Sequence, residues 1–193
     1  VIADLQAQDN LTYDEAKKQV YVGGFRIYTT MDQSVQNAID NAYNDNTLFY
    51  TERNGDYMQS AMVVIDHTNG NVLGLIGGAG KKENNLGLNR ATQSYRQPGS
   101  CMKPIGAYGP AFEKGELTVN SVLQDAPLTI GSWSPKNYYG YFKGNVTVRQ
   151  AVAQSMNLPA VRANMKVDLD FAYNFAKSCG LTSLVEEDKN IAP

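Results

Sequence analysis

Apolar and polar positions alternate between helical and extended spacing along the first half of the chain. Thr12 with Glu15 three residues later reads as a capping box, which predicts a helix running to about Val22 and stopped by Gly23-Gly24. Residues 25–30 (Phe-Arg-Ile-Tyr-Thr-Thr) alternate and are rich in β-formers, so a strand is expected there. Asp32 is a plausible N-cap for a second helix, in which Val35, Ile39, Ala42 and Tyr43 recur at helical spacing as a core stripe. Residues 61–65 and 72–76 are apolar runs joined by Asp66-His67-Thr68-Asn69-Gly70-Asn71, a hairpin pattern. Gly77-Gly78 opens a polar loop through Leu88 and lacks the lysine and spacing of a phosphate-binding loop.

The second half reads as mostly helical. Residues 120–141 look irregular, with Pro127, Pro135 and an aromatic cluster of Trp133, Tyr138, Tyr139 and Tyr141. Thr147 caps a helix from Val148 to about Ser155, and Pro159 fits the first turn of another beginning near Leu158. A last helix from Leu169 to about Cys179 ends at Gly180.

Composition narrows the function classes. The 193 residues are 42% hydrophobic and 19% charged, a globular composition sufficient for one domain. Nineteen acidic against 17 basic residues, net −2, give no reason to expect a nucleic acid or an anionic membrane as the main partner. The charged patches Lys81-Lys82-Glu83 and Glu186-Glu187-Asp188-Lys189 are short and mixed in sign, as solvated turns are. No apolar run is long enough to span a bilayer, and no leader pattern stands at Val1. Two cysteines, Cys101 and Cys179, make no disulfide framework, and with His67 as the sole histidine no metal constellation is present. His67 lies in a polar turn, so a Ser-His-Asp triad is not expected.

Chemistry concentrates in Arg96-Gln97-Pro98-Gly99-Ser100-Cys101-Met102-Lys103-Pro104-Ile105. Pro98-Gly99 forbids a continuing helix, and Pro104 is tolerated only in a first turn, so Ser100 belongs at a helix N-terminus. That helix should reach Gly115 with a kink at Pro110. Lys103 is one turn on from Ser100 and shares its face. A buried, neutral amine there can take the serine proton, and the helix N-terminus favours developing negative charge. Taken alone, Ser-x-x-Lys is weak, because a helix cap followed by an exposed lysine is ordinary. Ser155-Met156-Asn157, between two expected helices, adds a hydroxyl that can relay a proton and an amide that can bind a carbonyl; taken alone, it too reads as a cap. The two elements in this order form part of the signature Ser-x-x-Lys, Ser-x-Asn, Lys-Thr-Gly.

From about Gly23 onward the sequence resembles the transpeptidase domain of a class A, bifunctional penicillin-binding protein. The resemblance rests on residues 23–32 (Gly-Gly-Phe-Arg-Ile-Tyr-Thr-Thr-Met-Asp), 61–66, Gly70, Gly77-Gly78 and Asn89-Arg90-Ala91-Thr92. It continues through Gln97-Pro98-Gly99-Ser100, Ser134-Pro135-Lys136-Asn137-Tyr138 and Val146-Thr147-Val148-Arg149. It implies an α+β fold, an antiparallel sheet flanked by helices, with residues 1–22 as a connecting segment and 23–193 as the N-terminal part of the domain.

The resemblance also implies D,D-transpeptidase chemistry on peptidoglycan stem peptides, with no cofactor. Ser100 would be the nucleophile and Lys103 its base, Ser155 the proton shuttle and Asn157 the holder of the substrate amide. β-Lactams would acylate Ser100. Trp133, Asn137 and Tyr138 are candidate cleft-lining residues, with packing over the core the alternative. A D,D-carboxypeptidase, a β-lactamase and a penicillin-binding sensor or scaffold without turnover remain open. No Lys-Thr-Gly or Lys-Ser-Gly occurs, so a companion polypeptide carrying that strand is expected. The family further implies a membrane-anchored parent on the extracytoplasmic face of a bacterial cell. Cys101 stands where serine or threonine is expected and is read as a small buried residue, or else as a reactive thiol beside the nucleophile.

Overall fold

The computed structural model describes residues 1–49, 58–82 and 86–191. The chain forms two compact units, Val1–Ser94 and Tyr95–Pro193.

In the first unit, helices α1 (Ile2–Asp9) and α2 (Tyr13–Val22) pack on each other. The capping box at α2 is formed: Glu15 N donates to Thr12 Oγ1 at 3.4 Å, and Thr12 N to the Glu15 carboxylate at 2.9 Å. Helix α1 was not expected. It has no capping side chain and buries no residue, so it leaves no apolar period to read. Asp32 caps α3 (Gln33–Asn44), which buries Ile39 and Tyr43 while Ala42 is exposed.

Strands β1 (Met62–Ile65) and β2 (Val72–Ile76) form the expected antiparallel hairpin, with the register irregular between Val64 and Ile65. Helix α3 lies on β2, and the Gln36 side chain acts as a short strand partner. Its amide donates to Leu75 O and accepts from Leu75 N, both at 3.0 Å. The strand expected at 25–30 is absent. Phe25, Ile27 and Tyr28 are exposed, and only the end of the segment reaches the sheet, where Thr30 Oγ1 donates to Val72 O at 2.7 Å and Asp32 N to Leu73 O at 2.8 Å. Alternation selects a face, but a strand also needs a ladder partner, which no described segment supplies here. A short helix, α4 (Arg90–Gln93), is capped by Asn89 and follows the glycine loop, of which residues 83–85, Glu83 included, lie outside the described residues.

The second unit is built on a helical rod of changing pitch. A 3₁₀ turn, Gly99–Met102, leads into a π turn, Pro104–Tyr108, and then α5 (Gly109–Glu113). The prolines explain the pitch. Pro104 and Pro110 have no N–H to give the preceding turn, and Gly109 N reaches back five residues to Pro104 O. The kink expected at Pro110 is thus expressed as a widened turn just before it. Gly109 also has no room for a Cβ, which would lie 2.8 Å from the Phe175 ring and 2.9 Å from Pro104 O. Gly109→Ala is expected to cost about 1–3 kcal/mol in urea unfolding by overpacking this contact; unchanged stability would contradict it.

Strands β3 (Val122–Asp125) and β4 (Gly144–Thr147) pair antiparallel, in a stretch read from sequence as irregular up to Tyr141. Their inward phase carries Leu123, Val146 and, unusually, Asp125. Helix α6 (Val148–Ala153) follows with Thr147 and Gln150 in a second capping box, then α7 (Asn157–Asn164) and α8 (Leu169–Ser178). The core joins Tyr108, Leu117, Leu123, Val146, Val148 and Met156 to a set of alanines (Ala107, Ala111, Ala151, Ala160, Ala163, Ala172). Such small residues let helix backbones approach closely, which leaves little slack in the elements that carry the site.

Candidate active site

The turn between α6 and α7 has a specific conformation. Met156 N donates to Ala151 O at 2.9 Å and Ser155 N to Val152 O at 3.0 Å, the paired bonds of a Schellman cap. The same pair closes α5 at Gly115 and α8 at Gly180, with Glu116 N on Ala111 O, Gly115 N on Phe112 O, Leu181 N on Ala176 O and Gly180 N on Lys177 O. In all three the residue in the left-handed region is the one after the cap: Gly115 at φ 72°, Gly180 at φ 95° and Ser155 at φ 49°. A serine at this position costs about 1–2 kcal/mol relative to the right-handed well. The strained residue is the one whose oxygens point at Lys103.

Lys103 is buried, and its Nζ donates to Ser155 O at 2.7 Å, Ser155 Oγ at 3.2 Å and Asn157 Oδ1 at 2.6 Å. These acceptors use all three hydrogens of an ammonium. Two are carbonyl oxygens and the third is a hydroxyl, which can also donate. A neutral amine therefore fits the same cage, with two N–H bonds to the carbonyls and its lone pair towards a hydroxyl. Burial pushes the Lys103 pKa down from the ordinary lysine value, towards that neutral form. A lysine cannot accept from an amide NH₂ while charged, which fixes the Asn157 amide with Oδ1 on Lys103; its Nδ2 donates to Lys136 O at 2.8 Å.

Ser100 is exposed in the 3₁₀ turn, where Lys103 N donates to Ser100 O. A cleft of about 360 Å³ is lined by Gly99, Ser100, Lys103, Trp133, Pro135, Lys136, Asn157 and Val161. Ser100, Lys103 and Asn157 therefore share one cavity wall, and Ser155 meets them through the amine. Trp133 stands at this cleft, held by a two-residue turn in which Ile130 N bonds Trp133 O at 2.8 Å and Trp133 N bonds Ile130 O at 3.0 Å.

The other two cleft candidates lie elsewhere. The Tyr138 side chain is fully exposed. Asn137 is buried behind the cleft, because its amide is taken up by a polar network. Its Nδ2 donates to Asp125 Oδ1 at 2.6 Å, and its Oδ1 accepts from Asn157 N at 3.2 Å and Leu158 N at 3.5 Å. Asp125, fully buried, also accepts from Tyr139 OH at 3.0 Å and Lys143 N at 2.9 Å. Burial and this carboxylate push the Tyr139 phenol up to about 12. Sequence reading missed Asp125, although a carboxylate on the same strand phase as Leu123 signals a buried partner. Cys101 corrects another expectation: it is exposed and unpaired, as is Cys179, because the 3₁₀ turn points it away from the core.

A serine and a lysine one turn apart at the head of a helical rod, with the lysine amine held by a Ser-Met-Asn cap, form the arrangement expected of a penicillin-binding transpeptidase domain. The chain belongs to that family: residues 60–191 match the penicillin binding protein transpeptidase domain. It is 34% identical over 192 residues to penicillin-binding protein 1A of Clostridium tetani, covering 93% of this chain and 24% of the relative. Against penicillin-binding protein 1A/1B of Bacillus subtilis it is 35% identical over 159 residues, covering 82% and 17%. The structure of PonA1 from Mycobacterium tuberculosis in complex with penicillin V is similar with a TM-score of 0.73 at 25% identity, covering 97% of this chain and 46% of that one. The chain thus spans about a quarter or less of the length of these two curated relatives. Among the described residues no helix is long and apolar enough to cross a membrane.

Proposed function

We propose that this chain carries the nucleophile-bearing part of a class A peptidoglycan D,D-transpeptidase. The observation that supports the reading best is the Lys103 amine, buried and caged by Ser155 and Asn157 on the cleft that Ser100 lines. In this reading the neutral Lys103 amine takes the Ser100 proton as Oγ adds to the carbonyl of the penultimate residue of a stem peptide ending in D-Ala-D-Ala. Ser155 passes a proton to the leaving nitrogen, D-alanine departs, and an acyl-enzyme remains on Ser100. An amine of a neighbouring stem then adds to the ester carbonyl and regenerates the hydroxyl. The Ser100 N–H supplies one oxyanion donor. The other is expected from a Lys-Thr-Gly strand, a motif that residues 1–193 do not contain. β-Lactams enter as substrate mimics and stop at the acyl-enzyme.

Residues 23–193 are assigned to the transpeptidase domain and 1–22 to a connecting segment, in a parent anchored at the extracytoplasmic face of a bacterial membrane. The test is turnover of a D-Ala-D-Ala pentapeptide by the full-length protein with an added acceptor amine. Release of D-alanine with formation of the amide-linked product, both blocked by penicillin, is expected. Release with hydrolysis alone would make the protein a carboxypeptidase, and stable acylation without release a sensor.

A further inference from the structure

Helix α7 begins at Asn157, directly behind the Lys103 cage, and its own N-cap residue, Met156, offers no side-chain oxygen. The first N–H groups of a helix need acceptors, and here Asn137, from a loop 20 residues upstream, supplies one to both Asn157 N and Leu158 N. Asn137 can do so only with its Oδ1 turned to the helix, which turns its Nδ2 away into the protein interior. Asp125 meets that Nδ2 at 2.6 Å, with a carboxylate that is fully buried and has donors on both oxygens. A carboxylate accepts only, as does Tyr141 O at 3.2 Å from the same Nδ2, so the buried Asp125, with the shorter bond, and this carbonyl together admit one orientation of the Asn137 amide.

We propose that Asp125 is a positioning residue for the catalytic amine: acting through Asn137, it fixes the start of α7 and so the place of the Asn157 carbonyl oxygen against Lys103. This rests on the function proposed above. The same bonds hold the backbone of residue 157 on its α7 side, while the Schellman cap holds Ser155 on its α6 side, so the two residues that accept from Lys103 are set by two separate devices. The charged and titratable side chains around this assembly are the buried Asp125, the half-buried Tyr139 with the Tyr141 ring against it, the exposed Lys143, Lys136 at the cleft, and Arg162 of α7. The Arg162 guanidinium is spent on the carbonyls of Gln124, Ala126 and Pro127. No carboxylate faces Lys103 directly among the described contacts, so the nearest one acts at the remove of one amide.

The polarity of the chain of bonds supplies a test that a general structural role would not pass. Asp125→Asn offers an NH₂ where one carboxylate oxygen stood. Whichever oxygen it replaces, a donor meets a donor: the Asn137 NH₂ on one side or the Lys143 N–H, beside the Tyr139 hydroxyl, on the other, unless the Asn137 amide flips and turns its NH₂ to the N–H groups of α7. The reciprocal pair Asp125→Asn with Asn137→Asp returns a donor and an acceptor to the 125–137 contact and an oxygen to the α7 N–H groups, but gives up the 3.2 Å bond from Asn137 Nδ2 to Tyr141 O. It also keeps the net charge and brings the carboxylate one residue closer to Lys103.

The measurement is the second-order rate of acylation of the full-length protein by a chromogenic β-lactam across pH, with the thermal midpoint recorded for each variant. Asp125→Asn is expected to slow acylation by about 100-fold, the effect of displacing a catalytic group by about 1 Å. The reciprocal pair is expected to recover about tenfold of that loss, the bond to Tyr141 O remaining broken, with the acid limb of the pH profile moved to higher pH by the nearer negative charge. If Asp125→Asn does not fold, the pair alone decides. Failure of the pair to restore acylation overturns the proposal, as does recovery with an unmoved profile, or Asp125→Asn folding and acylating at the parent rate. If the unmutated protein takes no acyl group on Ser100, the functional reading fails, whereas an acylating parent with insensitive variants removes only the role of Asp125.

Discussion

Lys103→Met is expected to slow β-lactam acylation of Ser100 by about 10²–10⁴-fold, the range associated with loss of a positioned general base. Methionine keeps much of the stem length and packing of lysine but has no amine, so Ser100 loses its proton acceptor while the core is spared. The Ser155 O and Asn157 Oδ1 acceptors lose their donor. That cost, about 1–3 kcal/mol for a buried group left unsatisfied, is offset in part because no ammonium has to be desolvated. The pH dependence carries the sign of the mechanism. Burial lowers the Lys103 pKa, so the unmutated protein should acylate faster as pH rises through that lowered value and the amine becomes neutral. Between this value and that of a solvated lysine the unfolded chain binds the extra proton, so stability also rises with pH across that window. In Lys103→Met both dependences should vanish. Acylation rates measured with a chromogenic β-lactam at several pH values check this, and an unchanged rate in the variant would remove Lys103 from the chemistry.

Ser155→Gly should separate stability from activity. Glycine occupies the equivalent left-handed position after α5 and α8, at Gly115 and Gly180, so the backbone of Ser155 is under a strain those caps avoid. Relief of about 1–2 kcal/mol is opposed by about 0.4–1 kcal/mol of extra unfolded-state entropy, leaving a net gain of about 0–1.6 kcal/mol. The Ser155 carbonyl remains on Lys103, but the hydroxyl is gone. Loss of a proton relay of this kind is expected to cost about 10²-fold or more in acylation. Ser155→Ala should lose as much activity with no gain in stability, since it keeps the Cβ. Denaturant melts beside acylation rates check the pair. A Ser155→Gly protein that is both less stable and fully active would contradict the account.

How much of this was legible depends on where each signal lives. Helices α2, α3 and α6 announce themselves locally, because Thr12, Asp32 and Thr147 cap them within one turn. Ser100 and Lys103 could be placed because Pro98, Gly99 and Pro104 leave few backbone options, and Ser155 to Asn157 because helical patterns flank them. The β3–β4 pair was missed because each strand has only four residues and the pairing partners lie 19 to 25 positions apart. A strand was expected at residues 25–30 for the opposite reason: local propensity is strong there, but pairing is a tertiary event. The role of Asn137 could not be read, since buried and cleft-facing asparagines look alike until a partner such as Asp125 is in place. The left-handed turn at Ser155 was equally hidden, because serine carries no glycine-like signature.

The most direct measurement is the intact mass of the full-length protein before and after incubation with a penicillin, followed by peptide mapping. A mass increase equal to one whole penicillin is expected, carried by the peptide containing Ser100 and absent in Ser100→Ala. An unmodified mass under conditions where the protein is folded, or an adduct that persists in Ser100→Ala, would contradict it.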